Sequence, residues 1–166
     1  MKTMYLALVA LVTLAACADT NGGYNPAGLE GGSGWNENDI SAEELNDPTS
    51  QAYFEDSVGN MVLFDVDGFT LNSSAKAALD IQAEWLLSNP GYVIVLEGHA
   101  DERGTREYNL ALGERRANSA KDYLMTYGIS SNRISVLSYG KERPVDAGSS
   151  PLAWSKNRRS VTVKAN

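Results

Sequence analysis

The stretch that decides the fold is Tyr92-Val93-Ile94-Val95-Leu96-Glu97-Gly98-His99-Ala100-Asp101-Glu102-Arg103-Gly104-Thr105. Five apolar, mostly β-branched or aromatic residues read as a strand, here expected to be buried on both faces. Glycine and charge then take over, so the strand runs into a loop from Glu97 to Gly104. Thr105 has the side chain of a helix N-cap, and the residues after it carry Leu110, Gly113, Ala117, Ala120, Leu124 and Tyr127 at helical steps, ending at Gly128. A buried strand emptying through a polar loop into a helix is the unit that open α/β sheets use to build sites.

The same grammar extends both ways. Met61-Val62-Leu63-Phe64 reads as a buried strand, and Asn72 or Ser73 caps a helix carrying Ala75, Ala78, Leu79, Leu86 and Leu87, stopping at Asn89-Pro90-Gly91. Arg133 to Tyr139 alternates as a strand, Ser150-Pro151 opens a short helix, and Ser160 to Lys164 alternates again, with Val161 and Val163 on one face. Asp47-Pro48 starts a short helix that Gly59 ends. The fold class is α/β (an α+β sandwich) in the order βαβαββ, with the helices on one face of a mixed four-stranded sheet.

The N-terminus has another character. Lys2 precedes an apolar run from Met4 to Ala16. A dozen such residues is short of the roughly 20 that span a bilayer but suits a signal peptide over residues 1–16. Leu14-Ala15-Ala16-Cys17 resembles the bacterial lipobox, which implies a covalent lipid on Cys17 (S-diacylglycerol and N-palmitoyl); the alternative is an ordinary secretory signal with a stray cysteine. Cys17 is the only cysteine, so no intrachain disulfide forms. Two or three acyl chains hold firmly where one does not. By resemblance to enterobacterial sorting, Ala18 rather than Asp after the cysteine implies the outer membrane. Residues 17–46 form a Gly-rich, acidic linker with a relaxed reach of about 30 Å, and residues 47–166 form the folded domain.

The net charge of -7 among 166 residues argues against nucleic acid. Asn109, Leu112 and Arg116 form a stripe on the long helix about a fifth of a turn from its core face, so Asp101 can face Arg116 across the helix start. Spacing alone favours a plain structural ion pair over a binding site. Three blocks carry a resemblance that goes further: Phe64-Asp65-Val66-Asp67; Gly98 to Arg116, including Tyr108-Asn109-x-x-Leu112-Gly113-Glu114-Arg115-Arg116; and Asn157-Arg158-Arg159. Together they resemble the OmpA-like peptidoglycan-binding domain over Val58 to Val163. The run from Glu97 to Thr105, with Ser138-Tyr139-Gly140-Lys141-Glu142, is similar to the peptidoglycan-associated lipoprotein branch of that family, the wall-binding part of the Tol–Pal system.

That resemblance implies a non-covalent anchor rather than an enzyme. The implied ligand is meso-diaminopimelate of the peptidoglycan stem peptide, which ends in an ammonium and a carboxylate on one carbon. Asp101 would take the ammonium and Arg116 the carboxylate. Asn109 and Asp67 match ligand-contacting positions, Leu112 would pack the methylenes, and Phe64, Gly98 and Ala100 would shape the floor of the groove. TolB and other Tol proteins are the implied partners, TolB docking over the same loop, and the implied role is envelope integrity and outer-membrane constriction during division. Asp101→Ala and Arg116→Ala are expected to lose wall binding with the fold unchanged. A wall hydrolase is the competing class, but neither a metal cluster nor paired glycosidase acids can be placed. No metal or free cofactor is expected. His99 reads as a hydrogen-bonded structural residue; Arg158 and Arg159 read as braces, and Tyr139 and Trp154 as packing.

Overall fold

A computed structural model describes residues 41–165. Cys17, Ala18 and most of the expected linker lie outside the described residues. Within them the order is α1 (Ala42–Asn46), α2 (Gln51–Tyr53, continuing as a π turn through Phe54–Val58), β1 (Met61–Leu63), α3 (Ser73–Ser88), β2 (Ile94–His99), α4 (Arg106–Thr126), β3 (Ile134–Gly140), α5 (Pro151–Asn157) and β4 (Arg159–Lys164). The last residues of the expected linker therefore form α1, with a complete Ser41–Glu44 capping box. The helix expected after Asp47-Pro48 starts later, under Ser50, and Gly59 ends it at φ 81. No described helix is long and apolar enough to cross a membrane.

The sheet order is β1-β4-β2-β3. β2 and β3 are parallel, while β4 lies antiparallel between β1 and β2. The register therefore brings the C-terminal ends of β1, β2 and β3 and the start of β4 to one end of the sheet. α3 and α4 pack on one face, over Val62, Ile94, Leu96 and Ile134.

One-sided covering corrects the reading of fully buried strands. Met61, Leu63 and Val93 are about two-fifths exposed, so neither β1 nor β2 is buried on both faces. On β4 Val161 and Val163 share one face as expected, and it is the outer one; the inner face carries Ser160 and Thr162. Thr162 donates to buried Gln82 of α3 at 2.7 Å, a polar bridge inside the sheet–helix layer, while Leu87 points outward. Tyr127 of α4 is likewise exposed.

Gly113 breaks the propensity of a 21-residue helix, at a cost of about 1 kcal/mol relative to Ala. Tertiary packing explains it. A Cβ on Gly98 of β2 would fall 1.9 Å from the Gly113 carbonyl oxygen, and a Cβ on Gly113 would fall 2.7 Å from that of Gly98. The two glycines let α4 touch the backbone of β2. This contact brings the loop after β2 and the first turns of α4 together.

Candidate ligand-binding groove

Three segments meet at that end of the sheet: the turn after β1, the loop after β2, and α4, whose first turn is capped by Thr105 accepting from the Tyr108 N–H. They enclose a groove of about 190 Å³ lined by Val66, Asp67, Asp101, Arg103, Gly104, Tyr108, Asn109, Leu112 and Arg116. This volume is small against the roughly 300–1,000 Å³ of drug-sized pockets.

Five of the residues expected from sequence line this groove: Asp67, Asp101, Asn109, Leu112 and Arg116. The other three stand behind it. The Phe64 ring is buried with its centroid 5.5 Å from the Arg116 guanidinium carbon, a cation–π support. Gly98 abuts Gly113, and Ala100 is buried with its N–H donating to Gly140 O at 2.7 Å. Their role is to position the groove, not to form its floor.

Arg116 is 1 % exposed. It donates through Nε to Gly68 O (2.8 Å), through Nη1 to His99 O (2.8 Å) and through Nη2 to Asp65 O (3.2 Å). One guanidinium thus ties both loops to α4. Three of its five N–H donors are used, which leaves one on each terminal nitrogen. Burial pushes its pKa down to about 10, helped by Arg158, while Asp101, Asp67 and Tyr108 push back. It remains a cation at neutral pH. Three loop carbonyls would lose their donor in Arg116→Ala, which argues against the expectation that this variant spares the fold.

Asp101 does not ion-pair with Arg116. Its partners are Arg103 (2.7 Å) and Arg158 (3.5 Å). Burial pushes the carboxyl pKa up, but hydrogen bonds from the Arg103 side chain and backbone and from Arg158 outweigh it, so the net shift is downward. Arg158 also donates to Phe64 O at 3.1 Å and braces the site as expected. Asn109 donates to Arg103 O at 2.8 Å, holding the loop closed against α4. The Tyr108 hydroxyl donates to the Asp67 carboxylate, and Asp67 itself adopts φ 58, a left-handed conformation that Asp tolerates.

Sequence reasoning missed Val66, Arg103, Gly104 and Tyr108 as groove walls, although all four lie inside the blocks quoted above. It also misjudged Trp154. That indole donates to Glu102 at 2.9 Å and lies under the Arg103 guanidinium at 4.4 Å, so it belongs to the loop rather than to the core. His99 is 2 % exposed and stacks on Tyr139 at 5.5 Å. Neither ring nitrogen meets a partner in hydrogen-bond geometry among the described residues; the Glu97 carboxylate lies 3.7 Å away. Burial and then the Arg159 charge lower its pKa to about 4, against an opposing push from the Arg143 backbone. Among the described residues no three His, Cys, Asp or Glu side chains gather as a metal would require.

A four-stranded mixed sheet with a charged groove at its strand ends defines a class, and comparison with known proteins agrees. The model of the OmpA family matches residues 63–158. The chain is 46% identical over 159 residues to the peptidoglycan-associated lipoprotein of Rhizobium meliloti (strain 1021), covering 95% of this chain and 85% of the relative. It is 43% identical over 140 residues to the one from Pseudomonas aeruginosa, covering 84% and 77%. The crystal structure of the peptidoglycan-associated lipoprotein from Burkholderia pseudomallei superposes with a TM-score of 0.64 at 37% identity, over 74% of this chain and 99% of that one. The C-terminal domain of Helicobacter pylori MotB, at 20% identity and a TM-score of 0.59 over 64% of this chain and 84% of that one, shares the fold. The chain belongs to the OmpA family, and within it to the peptidoglycan-associated lipoproteins.

Proposed function

We propose that this protein is an outer-membrane lipoprotein that binds peptidoglycan non-covalently, with a lipid on Cys17 at one end and the groove at the other. The ligand is the free end of diaminopimelate in the stem peptide. The observation that carries this reading is the groove's composition. Buried Arg116 keeps two N–H donors free, Asp101 and Asp67 supply anionic partners, and Leu112 lends an apolar wall within about 190 Å³. That set matches a carboxylate and an ammonium carried on one carbon, with methylenes behind them.

Charge-assisted hydrogen bonds contribute about 1.5–3 kcal/mol each. A few of them, less the association cost, give affinity on the order of micromolar. Confinement to a membrane beside a polymeric wall raises effective concentration, so reversible contacts still hold firmly. The family resemblance extends the proposal to the Tol–Pal system: TolB docks over the loop of residues 97–105 in competition with the wall, and the assembly supports envelope integrity and constriction at division.

Incubation with purified sacculi tests the reading. Wild-type protein should co-sediment without releasing soluble fragments, and free diaminopimelate should compete. Asp101→Asn should lose co-sedimentation at an unchanged circular dichroism spectrum. Release of fragments would instead support a hydrolase, and unimpaired sedimentation of Asp101→Asn would remove the ligand assignment.

A further inference from the structure

The carboxylate proposed to receive the ligand's ammonium is already full. A carboxylate offers about four acceptor positions. Arg103 takes three of those on Asp101: its backbone N–H reaches Oδ1 at 3.1 Å, Nε reaches Oδ1 at 3.0 Å and Nη2 reaches Oδ2 at 2.7 Å. Arg158 Nη1 stands 3.5 Å from Oδ2. An ammonium carries three N–H donors and finds no vacant acceptor there.

The two arginines are held differently. The Arg158 side chain is 12% exposed and is tied to Phe64 O, while that of Arg103 is 43% exposed and lines the groove. Arg103 is therefore the cation that can leave. We infer that the Arg103 guanidinium is a resident occupant of the ammonium subsite, displaced from Asp101 when the ligand's ammonium enters. This inference rests on the diaminopimelate reading above.

The displaced group has somewhere to rest. The Trp154 ring already lies 4.4 Å from the Arg103 guanidinium carbon, and its indole is fixed by Glu102, whose other carboxylate oxygen accepts from Ser149 at 3.1 Å. The loop backbone need not move. Lys141 Nζ donates to the carbonyls of Glu102 and Gly104, and Asn109 donates to that of Arg103. Only the side chain swings, and the Arg103 N–H stays on Asp101.

Charge makes the exchange selective. With Arg103 in place, Asp67 and Asp101 face Arg103, Arg116 and Arg158, so the groove is net cationic and favours a plain anion. With Arg103 withdrawn, two carboxylates face two guanidiniums, and the groove is neutral and matched to a zwitterion. A ligand lacking the ammonium cannot trigger the exchange. Arg103 thus sets specificity by competing rather than by touching the ligand.

Calorimetric titration of the detergent-solubilised full chain with a soluble stem tripeptide ending in meso-diaminopimelate tests this. Arg103→Gln and Arg103→Ala should each tighten binding about two- to fivefold, the scale of a partly exposed ion pair. The gain should vanish for a tripeptide whose terminal amine is acetylated. If wild type binds and both variants bind equally or more weakly, or if the acetylated peptide gains as much, the exchange is overturned while the ligand reading stands. If wild type itself fails to bind the tripeptide, the ligand reading falls and the exchange with it.

Discussion

Two arginines hold opposite ends of this sheet. Arg116, at the C-terminal ends of β1 and β2, donates to the carbonyls of Asp65, Gly68 and His99. Arg133, at the start of β3, donates to those of Leu86, Asn89 and Tyr92, stitching the end of α3 to the entry of β2. Both perform the same structural task of satisfying loop carbonyls that no strand or helix can reach. They differ in surroundings. Arg133 is half-buried beside the aromatic cluster of Phe54, Trp85 and Tyr92, whose rings pack at 4.6–5.9 Å. Arg116 is fully buried, backed by Phe64, and opens onto a groove with two carboxylates. A carbonyl clamp becomes a candidate binding group where spare donors, opposite charge and a cavity coincide.

The sharpest way to break this contrast is to remove each arginine in turn. Arg116→Ala should cost about 3–5 kcal/mol of stability, because a buried charge and three carbonyls lose their partners, and should abolish sacculus binding. Chemical denaturation and co-sedimentation measure the two losses. Gly98→Ala should cost about 3 kcal/mol or more by driving a methyl group into the Gly113 carbonyl, with wall binding falling as α4 lifts from β2. A variant of normal stability would show that the two backbones can separate freely.

Acid should weaken the groove end first. The folded-state pKa of His99 is depressed to about 4, so the folded protein favours the neutral ring. The stability it contributes is present above the ordinary value of 6.5 and lost as pH falls from there towards 4, up to about 3 kcal/mol. His99→Phe should flatten thermal stability across that window, and an unchanged slope would exonerate the histidine. Arg133→Ala should cost only about 1–3 kcal/mol, since part of its environment is wet, and should leave sacculus binding intact; lost binding would erase the distinction between the two ends. Tyr108→Phe is the mildest change. It should weaken binding by less than about 1 kcal/mol by freeing Asp67, with no shift in the denaturation midpoint.

Local residue patterns determined a good deal. Thr105, Asn72 and Ser150 cap helices where their side chains said they would, because a cap depends only on neighbours within three residues. Apolar runs and period-two alternation marked the four strands and their order with the helices, and the family resemblance assigned five of the nine residues lining the groove, all nine of which lie inside the quoted motifs. What sequence could not reach was which partners meet. One-sided covering of the sheet, the antiparallel insertion of β4, the Gly98–Gly113 contact and the pairing of Asp101 with Arg103 instead of Arg116 all depend on chains distant in sequence arriving at one place. Spacing on a helix sets direction but not distance. The approach of α4 to β2, permitted by two missing side chains, fixed that distance and made a groove from residues whose types were already legible.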